Sequence, residues 1–263
     1  LMDMRPCSVA GMFYPAEPRH LEQLLETFFR NRAPKINARG IISPHAGYVY
    51  SGETGACAFS TIPPDFDGTF VIIGPSHRGY MTSASAVPWE TPLGIVDVDT
   101  EFVDALDIDI DEASHQSEHS IEVQMPLIKY RFPRARVAPV IMGDQSYEAA
   151  TSLAEHLLRA VEHTGMNVRF VASSDFSHYV PDEVARRQDL YAIDALKTLD
   201  IPEFYRRLRE TGATVCGYGP IASMCIACRS LGAERGELLR YTTSGDVTGD
   251  FDQVVGYAAV AVV

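Results

Sequence analysis

The stretch Thr69-Phe-Val-Ile-Ile-Gly74, followed by Pro75-Ser-His77, decides how this chain folds. Apolar side chains on successive residues need apolar neighbours on both faces, so this is a strand in a sheet covered by helices on both sides. The Gly-Pro-Ser-His that ends it is turn chemistry. Outward from it the pattern recurs. Arg39 to Pro44 is short, Ile-rich and stops at Pro44-His45. Val137 to Gly143 and Val168 to Ser174 look the same, and Val254 to Val263 reads as a buried last strand. Ser83 to Val98 holds two short strands around Thr91-Pro-Leu-Gly94. Helical spacing lies between: Pro18 to Arg30 (Leu21, Leu24, Leu25, Phe28), Ser146 to Thr164 (Leu153, Leu157, Val161), Asp182 to Leu199, Pro202 to Arg209, and Gly217 to Leu231 with Pro220 in its first turn. The alternation predicts an α/β fold: a single three-layer α/β/α domain over 1–263 with a central, mainly parallel or mixed sheet.

Composition narrows the function. The 263 residues carry 22 Lys plus Arg against 35 Asp plus Glu, a net charge of −13, which repels phosphate backbones and argues against a nucleic-acid partner. No apolar run is long enough to cross a bilayer, so no membrane partner is expected. Leu1 to Arg5 shows no signal-peptide pattern, and five cysteines do not make a disulfide scaffold. A cytoplasmic location is expected. There is no GxGxxG after a strand, no GxxxxGK[ST] and no GxSxG, so nucleotide-binding and nucleophile-elbow templates fail.

In open α/β sheets, ligands gather at the carboxyl ends of strands. Four polar motifs sit there or beside a helix start. Ser43-Pro-His45 continues to Gly47 and Gly52, glycines that would let backbone approach a ligand. Gly74-Pro-Ser-His77 is the second. Ser173-Ser-Asp175-Phe-Ser-His178 is the third. In the fourth, Val215-Cys216-Gly217, Cys216 precedes a helix, where the macrodipole favours thiolate. One strand-end histidine is ordinarily structural. Three after three strands point to a shared pocket, and imidazoles with a thiolate suit Zn, Cu or Fe(II). Glu118-His119-Ser-Ile-Glu122 places His119 and Glu122 on one helical face, either near the pocket or as a solvated helix start. Cys225 and Cys228 lie on an apolar stripe and read as core packing. Ser244-Gly-Asp246 with Gly249 and Asp250 reads as a loop that could wall the pocket.

Taken together and in order, Ala10-Gly-Met-Phe-Tyr-Pro15, PHAGYVYSG, GPSHRG, EHSIEVQMP, SSDFSHY and CGYGPI resemble the MEMO family, whose prokaryotic members are called AmmeMemoRadiSam system protein B. The resemblance covers nearly the whole chain. It implies a fold similar to class III extradiol dioxygenases, with His45, His77 and Cys216 as metal ligands. It further implies His178, with Asp175, as the acid/base pair, and His119 and Glu122 as substrate-binding residues of the cleft. Fe(II) is the implied metal, with Cu or Zn as alternatives. A thiolate stands where the dioxygenases have a carboxylate, so ring cleavage is not implied. The expected function is a metal-binding, dioxygenase-like redox enzyme acting on an unknown small-molecule substrate. The alternative is a non-catalytic iron- or copper-binding or partner-regulating protein. AMMECR1-like and radical SAM proteins are the implied partners.

Overall fold

Four parallel strands run through the middle of the molecule, and each is apolar because helices cover both of its faces. The structure, a computed structural model, describes residues 3–263, so the first two residues of the expected 1–263 span lie outside it. The strands are β1 Gly40–Ser43, β2 Thr69–Pro75, β3 Ser83–Ala84, β4 Trp89–Thr91, β5 Gly94–Val96, β6 Arg136–Met142, β7 Val168–Ser173, β8 His178–Val180, β9 Gly236–Thr243 and β10 Val254–Val262. The parallel centre has the order β6-β2-β7-β1. Antiparallel strands flank it, β3 on β6 and β10 on β1, and β10 also pairs with β9 and β8. β4 and β5 form a separate hairpin at the expected turn. This is the expected mixed α/β architecture.

The two faces of β1 show how the layers close. A Cβ on Gly40 would lie 2.6 Å from the Met224 sulfur, against the Tyr218–Ser230 helix. Ser43, three residues on and so facing the other way, lies beside Gly55 of the Tyr48–Phe59 helix. The Tyr147–Thr164 helix packs beside Tyr218–Ser230, and the Pro18–Phe29 helix packs on Tyr48–Phe59. Cys225 and Cys228 are fully buried within the Tyr218–Ser230 helix, in the core as expected.

The short Thr100–Ala105 and Gln124–Arg131 helices and β8 go beyond the sequence reading, as do two longer elements. The Tyr48–Phe59 helix was not expected, because Gly52 and Gly55 weaken helical propensity. Gly52 does not approach a ligand: a Cβ there would meet the Phe28 ring at 2.5 Å, so the glycine admits the neighbouring helix. β9 was also missed, because it is a half-exposed edge strand with a polar sequence.

Candidate metal centre

Parallel pairing puts the carboxyl ends of β2, β7 and β1 side by side. His77 lies two residues beyond β2, Asp175 two beyond β7, and His45 two beyond β1. Cys216 arrives from the far side, just before the Tyr218–Ser230 helix. Its approach depends on Gly217, where a Cβ would lie 2.6 Å from both the Ser173 carbonyl oxygen and the Ser174 Cβ. One donor atom from each of His45, His77 and Cys216 falls within 4.8 Å of the others. Two donors on one ion sit roughly 3–4.5 Å apart, so these three need little movement to share one.

Hydrogen counting fixes Nδ1 of each imidazole as a donor. Ser173 Oγ donates its only hydrogen to the Ser120 carbonyl at 2.6 Å and accepts from Gln124 Nε2 at 3.0 Å. The Gln124 amide is itself oriented, because its Oε1 accepts from Ser43 Oγ and its Nε2 donates to the Pro44 carbonyl. The 2.9 Å contact between His45 Nδ1 and Ser173 Oγ therefore has His45 as donor. This leaves a lone pair on Nε2, which lies 3.2 Å from Cys216 Sγ. His77 donates from Nδ1 to Glu118 Oε2 at 2.8 Å, and its backbone N–H donates to Oε1. His178 donates from Nδ1 to the Thr214 carbonyl at 2.9 Å. All three rings thus donate from Nδ1, so it is Nε2 that remains for ligation or for proton transfer.

Burial dominates the electrostatics of the cluster. Burial, reinforced by His119 and His77 nearby, holds His45 well below the ordinary imidazole range. Burial and the neighbouring His77 lower His119 to about 4. The Glu118 carboxyl is held at about 2, because the hydrogen bonds from His77 outweigh the opposing effect of burial. Burial raises Asp175 to about 6, against the stabilising His45 amide. Cys216 departs from expectation. Burial, with the Asp175 carboxylate beside it, pushes the thiol well up, so the helix end does not by itself produce a thiolate. The Asp175 amide does aim at the sulfur, 3.3 Å away.

A cleft of about 340 Å³ opens over this cluster, with His45, His119, Asp175, His178 and Phe13 in its walls. His119 is stacked between Phe13 at 4.7 Å and His77 at 4.5 Å. Three expectations need correction. Glu122 does not line the cleft: it is buried, ion-paired with Arg5, and accepts from the backbone of Ser8 and Val9 and from the Tyr14 hydroxyl. The rigid partner of His178 is Thr214 rather than Asp175, whose Oδ1 accepts the His45 amide at 2.8 Å. Asp246 bonds the Thr243 amide and Arg186 instead of walling the cleft; Val255 and Tyr257 form that side.

Sequence reasoning missed Glu118, Ser173, Gln124 and Thr214. The first three lie inside the quoted motifs, and a carboxylate beside His119 was the available signal for Glu118. The second compatible group, His77, Glu118 and His119, reads better as support for the first. Glu118 there already accepts from two amides as well as from His77.

Among known proteins, the family model described as "Memo-like protein" matches residues 5–261. A MEMO1 family protein of Methanosarcina barkeri is 44% identical, over 98% of this chain and 100% of its own length. Those of Methanococcoides burtonii and Archaeoglobus fulgidus are each 45% identical over 98% of this chain, and over 100% and 98% of their own lengths. With a family model across nearly its whole length and relatives this similar end to end, the chain belongs to the Memo family.

Proposed function

We propose that this chain is a metal-dependent redox protein acting on a small organic molecule, with His45, His77 and Cys216 holding Fe(II), or alternatively Cu or Zn. One observation carries the reading: two imidazoles, each oriented by a hydrogen bond from Nδ1, lie beside a thiol, with one donor atom of each residue within 4.8 Å of the others. The donor set fits a borderline-soft ion, since imidazole and thiolate both suit iron, copper and zinc. Such an ion would supply electron transfer and Lewis-acid polarisation of a bound oxygen atom.

The chain's own residues supply the remaining functions. Ser173 and Glu118 orient the two ligand imidazoles. The Asp175 amide stabilises negative charge on the Cys216 sulfur. His178, anchored through Nδ1 to the Thr214 carbonyl, lines the cleft and exchanges a proton with an acidic substrate group there. Asp175 holds a proton or releases it near neutral pH. His119, neutral and held between Phe13 and His77, offers its ring edge for a hydrogen bond that orients the substrate.

A second reading, non-catalytic iron or copper binding, is favoured by Cys216 itself. Its buried neutral thiol must release a proton to solvent as the cation binds, so uptake would be pH-dependent and reversible.

The test is metal content after anaerobic purification, wild type beside Cys216→Ser. Near-stoichiometric iron that the variant loses supports the centre. A wild-type protein that stays empty and cannot be loaded with Fe(II), Cu(I) or Zn(II) removes it. With a loaded centre, His178→Ala separates the readings, since an enzyme would keep its metal and lose turnover.

A further inference from the structure

The short segment that carries Cys216 also lines a second cavity, of about 500 Å³. Three tyrosines wall it. Tyr205 stands edge-on to both Tyr147 (5.8 Å, 82°) and Tyr218 (5.7 Å, 81°). Tyr205 is buried, and its hydroxyl is committed to the Gln145 carbonyl at 2.8 Å, so the wall is rigid. Two opposite charges face the same space. Arg209 and Glu148 both line it. The neighbouring Arg206 and Arg207 pair with Glu203, Glu210 and Asp194, whereas Arg209 and Glu148 have no ion-pair partner among the described residues. The volume falls in the usual range for small-molecule sites, roughly 300–1,000 Å³.

We infer that this cavity binds a free aromatic amino acid, its ring among Tyr147, Tyr205 and Tyr218, its carboxylate on Arg209 and its ammonium on Glu148. Edge-to-face packing suits a flat ring, and a guanidinium fork suits a carboxylate. A ligand carrying only one charge would leave the other side chain unanswered.

The position of the cavity gives such binding a consequence. Thr214, in its wall, accepts from both the backbone N–H and the Nδ1 of His178. Gln145, bonded to Tyr205, donates to the Cys216 carbonyl at 3.0 Å and accepts from the Gly219 amide at 2.8 Å. An occupant therefore braces residues 213–218, the stretch that sets both Cys216 and His178.

Binding itself does not depend on the metal reading and is tested on the full chain by titration calorimetry. L-Phenylalanine and L-tryptophan are compared with phenylpropionate and phenethylamine, each of which lacks one charge. The expected result is saturable one-to-one binding of an amino acid, at least about tenfold tighter than either analogue. Arg209→Ala and Glu148→Gln, both at exposed positions that leave the fold intact, each weaken it by about tenfold or more. Bound amino acid also slows amide exchange across 213–218. No binding at concentrations up to about 10 mM overturns the proposal. So does an analogue that binds as tightly as its amino acid, or affinity unchanged in both variants.

Discussion

Ser173 and His45 are joined by a hydrogen bond whose direction is forced: the serine has already spent its hydrogen on the Ser120 carbonyl, so the imidazole must donate. A residue at the end of β7 thereby decides which nitrogen of a residue beyond β1 faces Cys216.

Ser173→Ala removes that lock and leaves Gln124 Nε2 without one of its acceptors. The expected loss is about 10–100-fold in metal affinity, with about 1–3 kcal/mol of stability. Chelator competition and urea unfolding measure the two. Unchanged affinity in the variant would show that His45 needs no such orientation.

Glu118→Gln tests the corresponding lock on His77. The carboxyl sits at about 2 in the folded protein, below its ordinary 4.5. Between these values the unfolded chain binds more protons, so stability present above pH 4.5 is lost as pH falls toward 2. In metal-free protein the variant should flatten that acid-side loss of urea midpoint. An identical slope in wild type and variant would sink the assignment.

His119 should titrate near 4 in metal-free protein, because burial and His77 disfavour its charged form. Its folded value lies below the ordinary 6.5, so its contribution to stability is present above 6.5 and is lost as pH falls toward 4. Asp175 acts in the opposite sense: raised to about 6, it favours the fold at low pH and loses that contribution as pH rises through 6. Proton NMR of the imidazole resonances separates the two, and a His119 midpoint above 6 would contradict the stacked, desolvated ring.

Glu122→Ala strands Arg5, fully buried and also bonded to the His115 and Glu118 carbonyls. Breaking such a pair costs about 3–5 kcal/mol. The unfolding midpoint should drop accordingly, while the metal content of the folded fraction stays at wild type. A stable variant with altered ligand binding would instead return Glu122 to the cleft.

Much of the fold is legible in the residue order. Continuous apolar runs such as Thr69 to Gly74 announce a doubly covered sheet, and the polar residues just after them announce its functional edge. The ordered motifs led to the Memo family, and the structure brings His45, His77 and Cys216 together. The Tyr48–Phe59 helix was hidden because its glycines serve packing rather than propensity.

Hydrophobic periodicity and turn chemistry are local, so the order of residues specifies the layered α/β architecture, the family, and which side chains could meet at the strand ends. What each polar group does on arrival is set by the folded neighbourhood. Whether Glu122 reaches a ligand or Arg5, whether His178 leans on Asp175 or Thr214, and whether Cys216 ionises depend on burial and on partners up to 171 residues away along the chain. Desolvation and hydrogen-bond competition are set by that three-dimensional neighbourhood, which no spacing in the chain encodes.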